Sequence, residues 1–452
     1  MSKKNLDLTN GPILKTLTDL SLPIMASYFL NTVYSITDMA WIGMLGSKAV
    51  AGVGVGGMYV WLSQGLVSLA RMGGQVNAAQ ALGRGDKKTA VKYAGASLQL
   101  TILFGVLFSA VCLLFTKPLL GFFRMDNVVT YEYAKVYLQI TCGLIIFSYL
   151  TYTLTGLYTA QGNSKTPLKA NFIGLILNMI LDPLLILGIG PFPRMEVTGA
   201  AIATVTAQML VFAALLPGIF RKNEEGKEVN ILQDIRLFSK EYLSCYRSVF
   251  RIGFPSALQS SIYCMISMVL TRMVAAFGSG AVATQRVGGQ IESISWNTAD
   301  GFAAALNAFM AQNFGAKKHD RIRKGYRISF RVLALWGLFI TALFVFFPRP
   351  IASLFFHEEE VISTAVGYLV VIGFSETFMC IELMTVGALS GLGKTKLCSV
   401  ISISLTVARI PLALILTRTS LGLYGIWWAL TISSISKGII FYFTFQRVSR
   451  QL

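Results

Sequence analysis

The sequence is poor in charged residues. Only 13% of its 452 residues are Asp, Glu, Lys or Arg, about half the share found in a soluble globular protein. Hydrophobic residues make up 54% of the chain, and the mean hydropathy is +0.63. A chain this apolar is not expected to stay in water, so we predict an integral membrane protein.

Residues that catalyse reactions or hold resident metals are also scarce. The two histidines, His319 and His357, and the six cysteines form no His-Glu-x-x-His or Cys-x-x-Cys pattern. The Gly-Lys-Thr run at 393–395 resembles the end of a phosphate-binding loop, but that motif needs a glycine where Ala388 stands. We therefore predict a protein that is not an enzyme and has no resident cofactor.

Long hydrophobic runs, in contrast, recur along the whole chain. About 20 mostly apolar residues are needed to cross a bilayer, and in lipid the backbone polar groups must be paired within a helix or a closed barrel. Continuous runs rather than alternation favour helices. We place twelve spanning helices at 17–46, 50–71, 90–116, 133–160, 168–190, 197–220, 248–277, 281–309, 327–348, 361–391, 396–418 and 421–446.

The basic residues follow this segmentation. One set of loops, with both termini, carries 28 of the 39 Lys and Arg residues, and the opposite set carries 7. Cytoplasmic loops are enriched in positive charge, so we predict a multi-pass protein of the cell membrane with both termini in the cytoplasm. The net charge of +18 is then explained by topology and by anionic lipid head groups, and no nucleic-acid partner is expected.

The two halves of the chain resemble each other. LSLPIMASYFL (20–30) returns as IGFPSALQSSI (252–262), and two later segments and a turn return at offsets near 230. Each half has six spans, which indicates a parallel repeat with a transport site between its halves. The predicted division is an N-terminal lobe at 1–220, an interlobe linker at 221–247 and a C-terminal lobe at 248–452.

Two carboxylates lie within the predicted spans of the first half, Asp38 in span 1 and Asp182 in span 5. Charge at bilayer depth is costly and usually functional. Asn178 precedes Asp182 by four residues and shares its helix face. Pro183 cannot donate to the carbonyl of Met179, which stays available to an ion or water. These oxygens suit a hard cation or a shared proton.

Several motifs together resemble the multidrug and toxic compound extrusion (MATE) transporters, and within them the DinF-like branch. They are Ser-Leu-Pro at 21–23 with Asp38 in the same span, the turn at 160–167, Asn-x-x-x-Asp-Pro at 178–183 and Gly-Ala-Ala-Ile-Ala-Thr at 199–204. The glutamate that the NorM-like branch has in span 7 is absent from 256–268. The resemblance implies an all-α membrane fold of 12 helices in two pseudo-symmetric six-helix bundles.

The resemblance also implies a function. Such proteins export organic cations and amphipathic compounds, driven by inward Na⁺ or H⁺ flow, and the family pattern adds Thr204 Oγ1 and the Ala200 carbonyl to the ion ligands. Two nearby carboxylates in a poorly hydrated pocket cannot easily both stay charged and unpaired. A proton, or Na⁺ at Asp38, Asn178 and Asp182, would neutralise them and weaken their hold on a cationic substrate. Pairing with a basic residue as structural glue is the alternative.

A second set of polar, aromatic and methionine side chains is expected to line the substrate cavity. Charge-compensating pairs among Glu292, Glu376, Glu382 and the second-half arginines are the alternative reading, and ordinary membrane packing is the alternative for the methionines and aromatic residues. The candidates are Tyr34, Met39, Trp41, Met265, Gln285, Gln290, Glu292, Glu376 and Glu382.

Our prediction is a monomeric secondary antiporter that exports small cationic or amphipathic molecules by alternating access. A flippase for lipid-linked saccharides is the neighbouring alternative, since Arg272 and Arg409 could meet a pyrophosphate. A membrane-embedded enzyme is disfavoured because no catalytic constellation is present. The sequence leaves Na⁺ and H⁺ equally open, since carboxylate, amide and hydroxyl oxygens serve both.

Overall fold

The computed structural model describes residues 5–123, 127–217, 230–355 and 359–452. Over these ranges the chain is helical, without a β-strand. The helices of the first half are α1 (Ile13–Gly43), α2 (Ser47–Gly83), α3 (Lys87–Leu114), α4 (Thr116–Gly121), α5 (Val128–Gly143), α6 (Ile146–Ala160), α7 (Lys165–Leu187) and α8 (Glu196–Leu215). A 3₁₀ turn at Lys240–Tyr242 leads into α9 (Leu243–Ala275), α10 (Ser279–Gly315), α11 (His319–Phe346), α12 (Pro348–Ser353), α13 (Glu359–Gly373), α14 (Glu376–Gly391), α15 (Thr395–Val407), α16 (Arg409–Leu416) and α17 (Leu423–Arg450).

The twelve predicted spans each coincide with one of these helices or with a broken helix. Among the described residues, 8 helices are long and apolar enough to cross a membrane, and the bent pairs α5–α6 (46°) and α13–α14 (48°) raise the number to 10. The remaining predicted spans are α1 and α10, of 31 and 37 residues. Both carry polar candidates, Asp38 in α1 and Glu292 in α10, which lowers their hydropathy. The all-α membrane fold is confirmed.

The internal repeat is visible in the backbone. Gly46 (φ 100°) precedes α2 and Gly278 (φ 104°) precedes α10, both in a conformation that favours glycine. Pro23 lies inside α1, and Pro255 lies inside α9. Both pairs are 232 residues apart in the chain, and the two helix breaks bend by nearly the same angle. The repeat seen in sequence therefore specifies the same turns twice.

The chain forms two compact units. The first unit contains residues 1–7 and 26–257, and the second contains 8–25 and 258–452. One change between the units falls between residues 7 and 8, ahead of α1, and the other two fall inside α1 and α9, shortly after their prolines. The predicted lobes have different bounds and stay a prediction, and residues 221–229 of the predicted linker lie outside the described part of the chain.

Local sequence explains where the helices that matter below begin and end. Asp86 caps α3, since its Oδ1 accepts a hydrogen bond from the backbone N–H of Thr89 at 3.0 Å. Helix α7 ends at Gly188, which adopts the left-handed conformation (φ 73°). The adjoining turn approaches Gly188 so closely that a Cβ there would lie 2.6 Å from Arg194 N. This fixed end sets the position of the last turns of α7.

Candidate functional site

A buried polar cluster lies in the first unit, where α1, α7 and α8 each contribute side chains. Asn178 and Asp182 are 0% exposed, and Asp38 is 8% exposed. The Asn178 side chain donates through Nδ2 to Asp182 Oδ1 at 3.0 Å. The four-residue spacing thus places both side chains on one face of α7.

The carboxylates of Asp38 and Asp182 lie close enough to interact electrostatically. Both also act on the side chains of Tyr34 and Tyr137. Like charges in a region that excludes water repel strongly. The structure therefore brings together the two acids that the sequence singled out. The charge of each acid affects the other, so the two should be considered as a pair.

The cluster has hydrogen-bonding capacity that the described residues leave unused. A buried polar atom without a partner costs about 1–3 kcal/mol, and few such atoms are found in native proteins. Five of them occur together here, and all five are oxygens: two belong to carboxylates, which can accept a proton, and all can in principle contribute to binding a cation. The five atoms are Asp38 Oδ1, Asn178 Oδ1, Asp182 Oδ2, Thr204 Oγ1 and Tyr34 Oη.

In the part of the chain that the structure describes, no basic side chain pairs with the acids of this cluster. Within the described ranges, neither Asp38 nor Asp182 takes part in a salt bridge. The alternative, in which these acids form structural ion pairs with a basic residue, therefore has no basic partner in the described ranges. The same residues form no group of three His, Cys, Asp or Glu side chains, so the donor set suits a proton or a hard monovalent cation better than a transition metal.

Pro183 interrupts the hydrogen-bond ladder of α7 directly after Asp182. Because proline has no N–H, the carbonyl of Met179 receives no bond from residue 183. The helix nevertheless continues to Leu187. A spare carbonyl therefore lies in the same turn as Asn178 and Asp182.

Tyr137 of α5 belongs to the cluster although the sequence did not single it out. It is 8% exposed and interacts with Asp38, Asp182 and Thr204. Tyrosine is common in membrane helices, so its type alone carries no signal; only the tertiary packing places it beside the acids. Tyr34 Oη lies near the Thr204 hydroxyl as well, without the geometry of a normal hydrogen bond.

The other predicted first-unit residues are Ala200, Trp41 and Met39. Ala200 stands one turn before Thr204 on α8 and is fully buried in an apolar cluster with Ile42 and Val197. Its carbonyl as an ion ligand stays a prediction. Trp41 packs on the same apolar cluster, and Met39 is 37% exposed.

The second unit handles its buried charges differently. Lys437 Nζ lies 3.2 Å from Glu382 Oε1, and both side chains are nearly buried (4% and 11% exposed). Arg409 donates through Nε to Ser433 Oγ at 3.0 Å and through an NH2 group to Ser434 Oγ at 3.1 Å. Glu382 thus has a structural partner, and its role as a substrate ligand stays a prediction.

Glu292 and Glu376 form a second pair of acids. The Tyr368 hydroxyl donates to Glu292 Oε2 at 3.2 Å. Glu376 is 0% exposed. The Ser295 hydroxyl lies near its carboxylate, but among the described residues neither oxygen has a partner in normal hydrogen-bond geometry. The two carboxylates interact electrostatically, so Glu376 resembles the first-unit acids more than its neighbours in the second unit.

The remaining cavity candidates are dispersed. Gln285 accepts from Trp427 Nε1 at 3.3 Å and donates to Thr271 Oγ1 at 3.4 Å. Met265 is 61% exposed, and Gln290 is exposed as well. Their contribution to substrate binding stays a prediction.

Comparison with known proteins places this geometry in context. The MatE family profile matches residues 23–184 and 255–415. A protein of Thermotoga maritima named "Probable multidrug resistance protein NorM" is 29% identical over 424 residues, covering 92% of this chain and 88% of that protein. A protein of Shewanella oneidensis named "FAD transporter" is 26% identical over 445 residues, covering 98% and 96%.

The fold is also found among solved structures. A crystal structure of a MATE protein in the bent conformation superposes with a TM-score of 0.88, covering 100% of this chain and 98% of that one. The two sequences are 22% identical, so this likeness concerns the fold. Each matched stretch of the profile begins at the proline inside the first helix of a repeat, Pro23 or Pro255.

Proposed function

Since the chain belongs to the MATE family of transporters, we propose that it exports organic cations and other amphipathic compounds in exchange for inward-moving Na⁺ or H⁺. The single observation that carries the proposal is the buried cluster of Asp38, Asn178 and Asp182, with unused oxygens and no basic partner in the described ranges. A relative named for multidrug resistance supports the class of cargo. The DinF-like branch stays a prediction.

The mechanism follows from the charge of the cluster. With no cation bound, two carboxylates in a poorly hydrated region generate a strong negative potential. A cationic substrate lowers this energy when it approaches, and so does a proton or Na⁺ that binds between Asp38 and Asp182. Because both relieve the same charge, they compete, and arrival of the coupling ion from outside favours release of the substrate.

The conformational part of the cycle needs two arrangements of one element. Proline bends helices and frees backbone carbonyls. Pro23 lies in α1, which bears Asp38, and Pro183 lies in α7, which bears Asp182. A change in the charge of the cluster thus acts on two helices that have weakened ladders. We propose that neutralisation changes how α1 and α7 pack, which alternates access to the cluster.

An anionic cargo is the second candidate. The Arg409 guanidinium is 7% exposed and bonded to two serine hydroxyls, and no carboxylate lies within ion-pair distance of it among the described residues. Arginine is well suited to phosphate. A lipid-linked saccharide or a dinucleotide, the latter named for the Shewanella relative, would use this group.

Reconstituted vesicles test the proposal. Ethidium should leave the lumen when an inward gradient of Na⁺ or H⁺ is imposed. Separate experiments with a Na⁺ gradient alone and with a pH gradient in sodium-free buffer identify the coupling ion. Asp38→Asn and Asp182→Asn should reduce coupled efflux to the background of empty vesicles. Glu132→Gln, a neutralised surface acid of α5 that is 52% exposed, is the matched control and should pump normally.

The outcomes separate the two candidates. Full activity of Asp38→Asn would remove the cluster from the mechanism. Transport of a dinucleotide or pyrophosphate compound that is lost in Arg409→Gln, together with no ethidium flux, would favour the anionic cargo.

A further inference from the structure

The interlobe segment 230–242 covers one end of α3. Ile231 and Leu232 are 0% and 1% exposed and pack in one cluster with Val91 and Ala94 of α3. Gly95 lies against the next part of the segment, since a Cβ there would be 2.2 Å from the ring of Tyr242. A small apolar surface on α3 is therefore closed by the chain itself.

The same segment also meets the positive charge at this end of α3. Lys87 Nζ lies 2.8 Å from Asp234 Oδ2, and Lys92 Nζ lies 3.4 Å from Glu241 Oε2. The segment thus brings carboxylates to the lysines of α3. Each ion pair is exposed and individually weak, but together they match the charges of the two surfaces.

Helix α11 is the repeat counterpart of α3. Both helices have 28 residues, and their first residues, Lys87 and His319, are 232 positions apart. At this offset, three of the α3 positions that pack against segment 230–242 carry different residues on α11. Val91, Ala94 and Gly95 correspond to Arg323, Tyr326 and Arg327.

These α11 residues line a cavity of about 320 Å³ between α11 and α17. Arg450 of α17 adds a third guanidinium, and Gln446 adds an amide. The Tyr326 ring, 1% exposed, stacks on Phe445 with 3.6 Å between centroids and 9° between planes. The cavity therefore has a rigid aromatic wall and a cationic rim.

The cationic rim is partly fixed in place. Arg323 donates through Nε and an NH2 group to the backbone carbonyl of Ser449, at 3.2 and 3.1 Å. Its one carboxylate contact in the described residues is Asp320 at 3.5 Å, whose side chain is 89% exposed. No segment of the described chain brings acids to Arg327 or Arg450 as segment 230–242 does to the lysines of α3. The rim thus keeps most of its positive charge.

We propose that this cavity binds the phosphate of an anionic phospholipid head group. Guanidinium groups bind phosphate through paired hydrogen bonds, and the volume lies at the small end of ordinary ligand pockets. The start of α11 and the end of α17 are the ends that the distribution of basic residues predicts to be cytoplasmic. Basic pockets between helices at that leaflet suit anionic head groups. The lipid phosphate would neutralise positive charge on α11, as the acids of segment 230–242 do on α3.

Lipid retention by the delipidated, detergent-purified full chain tests the proposal. Native mass spectrometry would count bound phosphatidylglycerol across a titration, with phosphatidylcholine and inorganic phosphate as parallel arms. We expect phosphatidylglycerol to bind and phosphatidylcholine not to compete. A guanidinium that hydrogen-bonds the phosphate is worth about fivefold in affinity, so Arg327→Gln with Arg450→Gln should weaken binding about thirtyfold.

Two further double variants make the result specific. Lys324→Gln with Arg447→Gln removes the same charge from the same two helices outside the cavity lining and should leave the affinity within about twofold. Arg327→Lys with Arg450→Lys keeps the charge and should retain most of the binding. Unchanged binding in the Arg327→Gln and Arg450→Gln pair, or an equal loss in the control pair, overturns the proposal. Displacement of phosphatidylglycerol by an equal concentration of inorganic phosphate overturns the lipid as occupant.

Discussion

The two compact units solve the problem of buried charge in opposite ways. In the first unit, Asp38 and Asp182 share a cluster that no described basic residue neutralises. In the second unit, Glu382 is paired with Lys437 at 3.2 Å, and Arg409 is bonded to serine hydroxyls. A buried charge that is paired within the protein stabilises the fold, whereas an unpaired buried charge needs a bound proton, ion or ligand to neutralise it. This contrast supports the proposed ion exchange at the first unit and suggests a structural role for the paired charges of the second.

Glu376 limits this contrast. It is fully buried, and among the described residues neither of its oxygens has a partner in normal hydrogen-bond geometry, although it lies in the same unit as the paired residues. Its neighbour Glu292 accepts a hydrogen bond from the Tyr368 hydroxyl. The second unit thus contains one acid whose environment resembles that of the first-unit cluster.

Breaking the Glu382–Lys437 pair is expected to have the largest effect. Lys437→Met leaves the Glu382 carboxylate buried and unpaired, which costs about 3–5 kcal/mol in comparable pairs. Unfolding of the purified protein by heat or denaturant measures the loss. Lys437→Met combined with Glu382→Gln should recover at least half of it, and equal stabilities of the single and double variants would contradict the pairing.

A smaller loss is expected at Arg409. Arg409→Gln removes two charge-assisted hydrogen bonds between helices, to Ser433 and Ser434, and should cost about 1–2 kcal/mol given the modest values measured in membranes. The same unfolding assay applies. Ser434→Ala removes one of these bonds and should cost about half as much; a neutral result for Arg409→Gln would mean that the serines do not hold the guanidinium.

The smallest effect on stability is expected where the effect on transport is largest. Asp38→Asn and Asp182→Asn remove a repulsion and break no ion pair, so their unfolding free energy should change by less than about 1 kcal/mol or rise. Thermal unfolding and the vesicle assay on the same preparations check this. If either variant loses as much stability as Lys437→Met, the first-unit acids are structural and the contrast between the units fails.

Sequence reasoning predicted the membrane spans because length and hydropathy are local properties. Spans 1 and 8, which correspond to α1 and α10, were predicted from the same apolar runs although neither helix is apolar enough to qualify as a candidate span in the structure. The broken spans were predicted as single helices; the structure bends them at 144–145 and 374–375, directly after Gly143 and Gly373. Glycine weakens a helix, but other glycines of this chain lie inside the unbroken helix α2, so the residue type alone did not predict the bends.

Candidate site residues were predictable where a polar side chain stood out against an apolar run. Asp38 and Asp182 meet that condition, and the structure places them together with Asn178 and Thr204. Tyr137 does not meet it, because a tyrosine in a membrane helix is ordinary. The pairing of Glu382 with Lys437 was also open, since two residues 55 positions apart show no spacing rule.

The sequence alone determined that the chain is a helical membrane protein, that it is built from a repeat, and which carboxylates lie at membrane depth, because each of these depends on composition or on periodicity along one segment. The tertiary structure decided which buried charges are paired and which remain unpaired, and which copy of a repeated helix is covered by segment 230–242. Those outcomes depend on distances between side chains from different helices, and such distances exist only after the helices have packed.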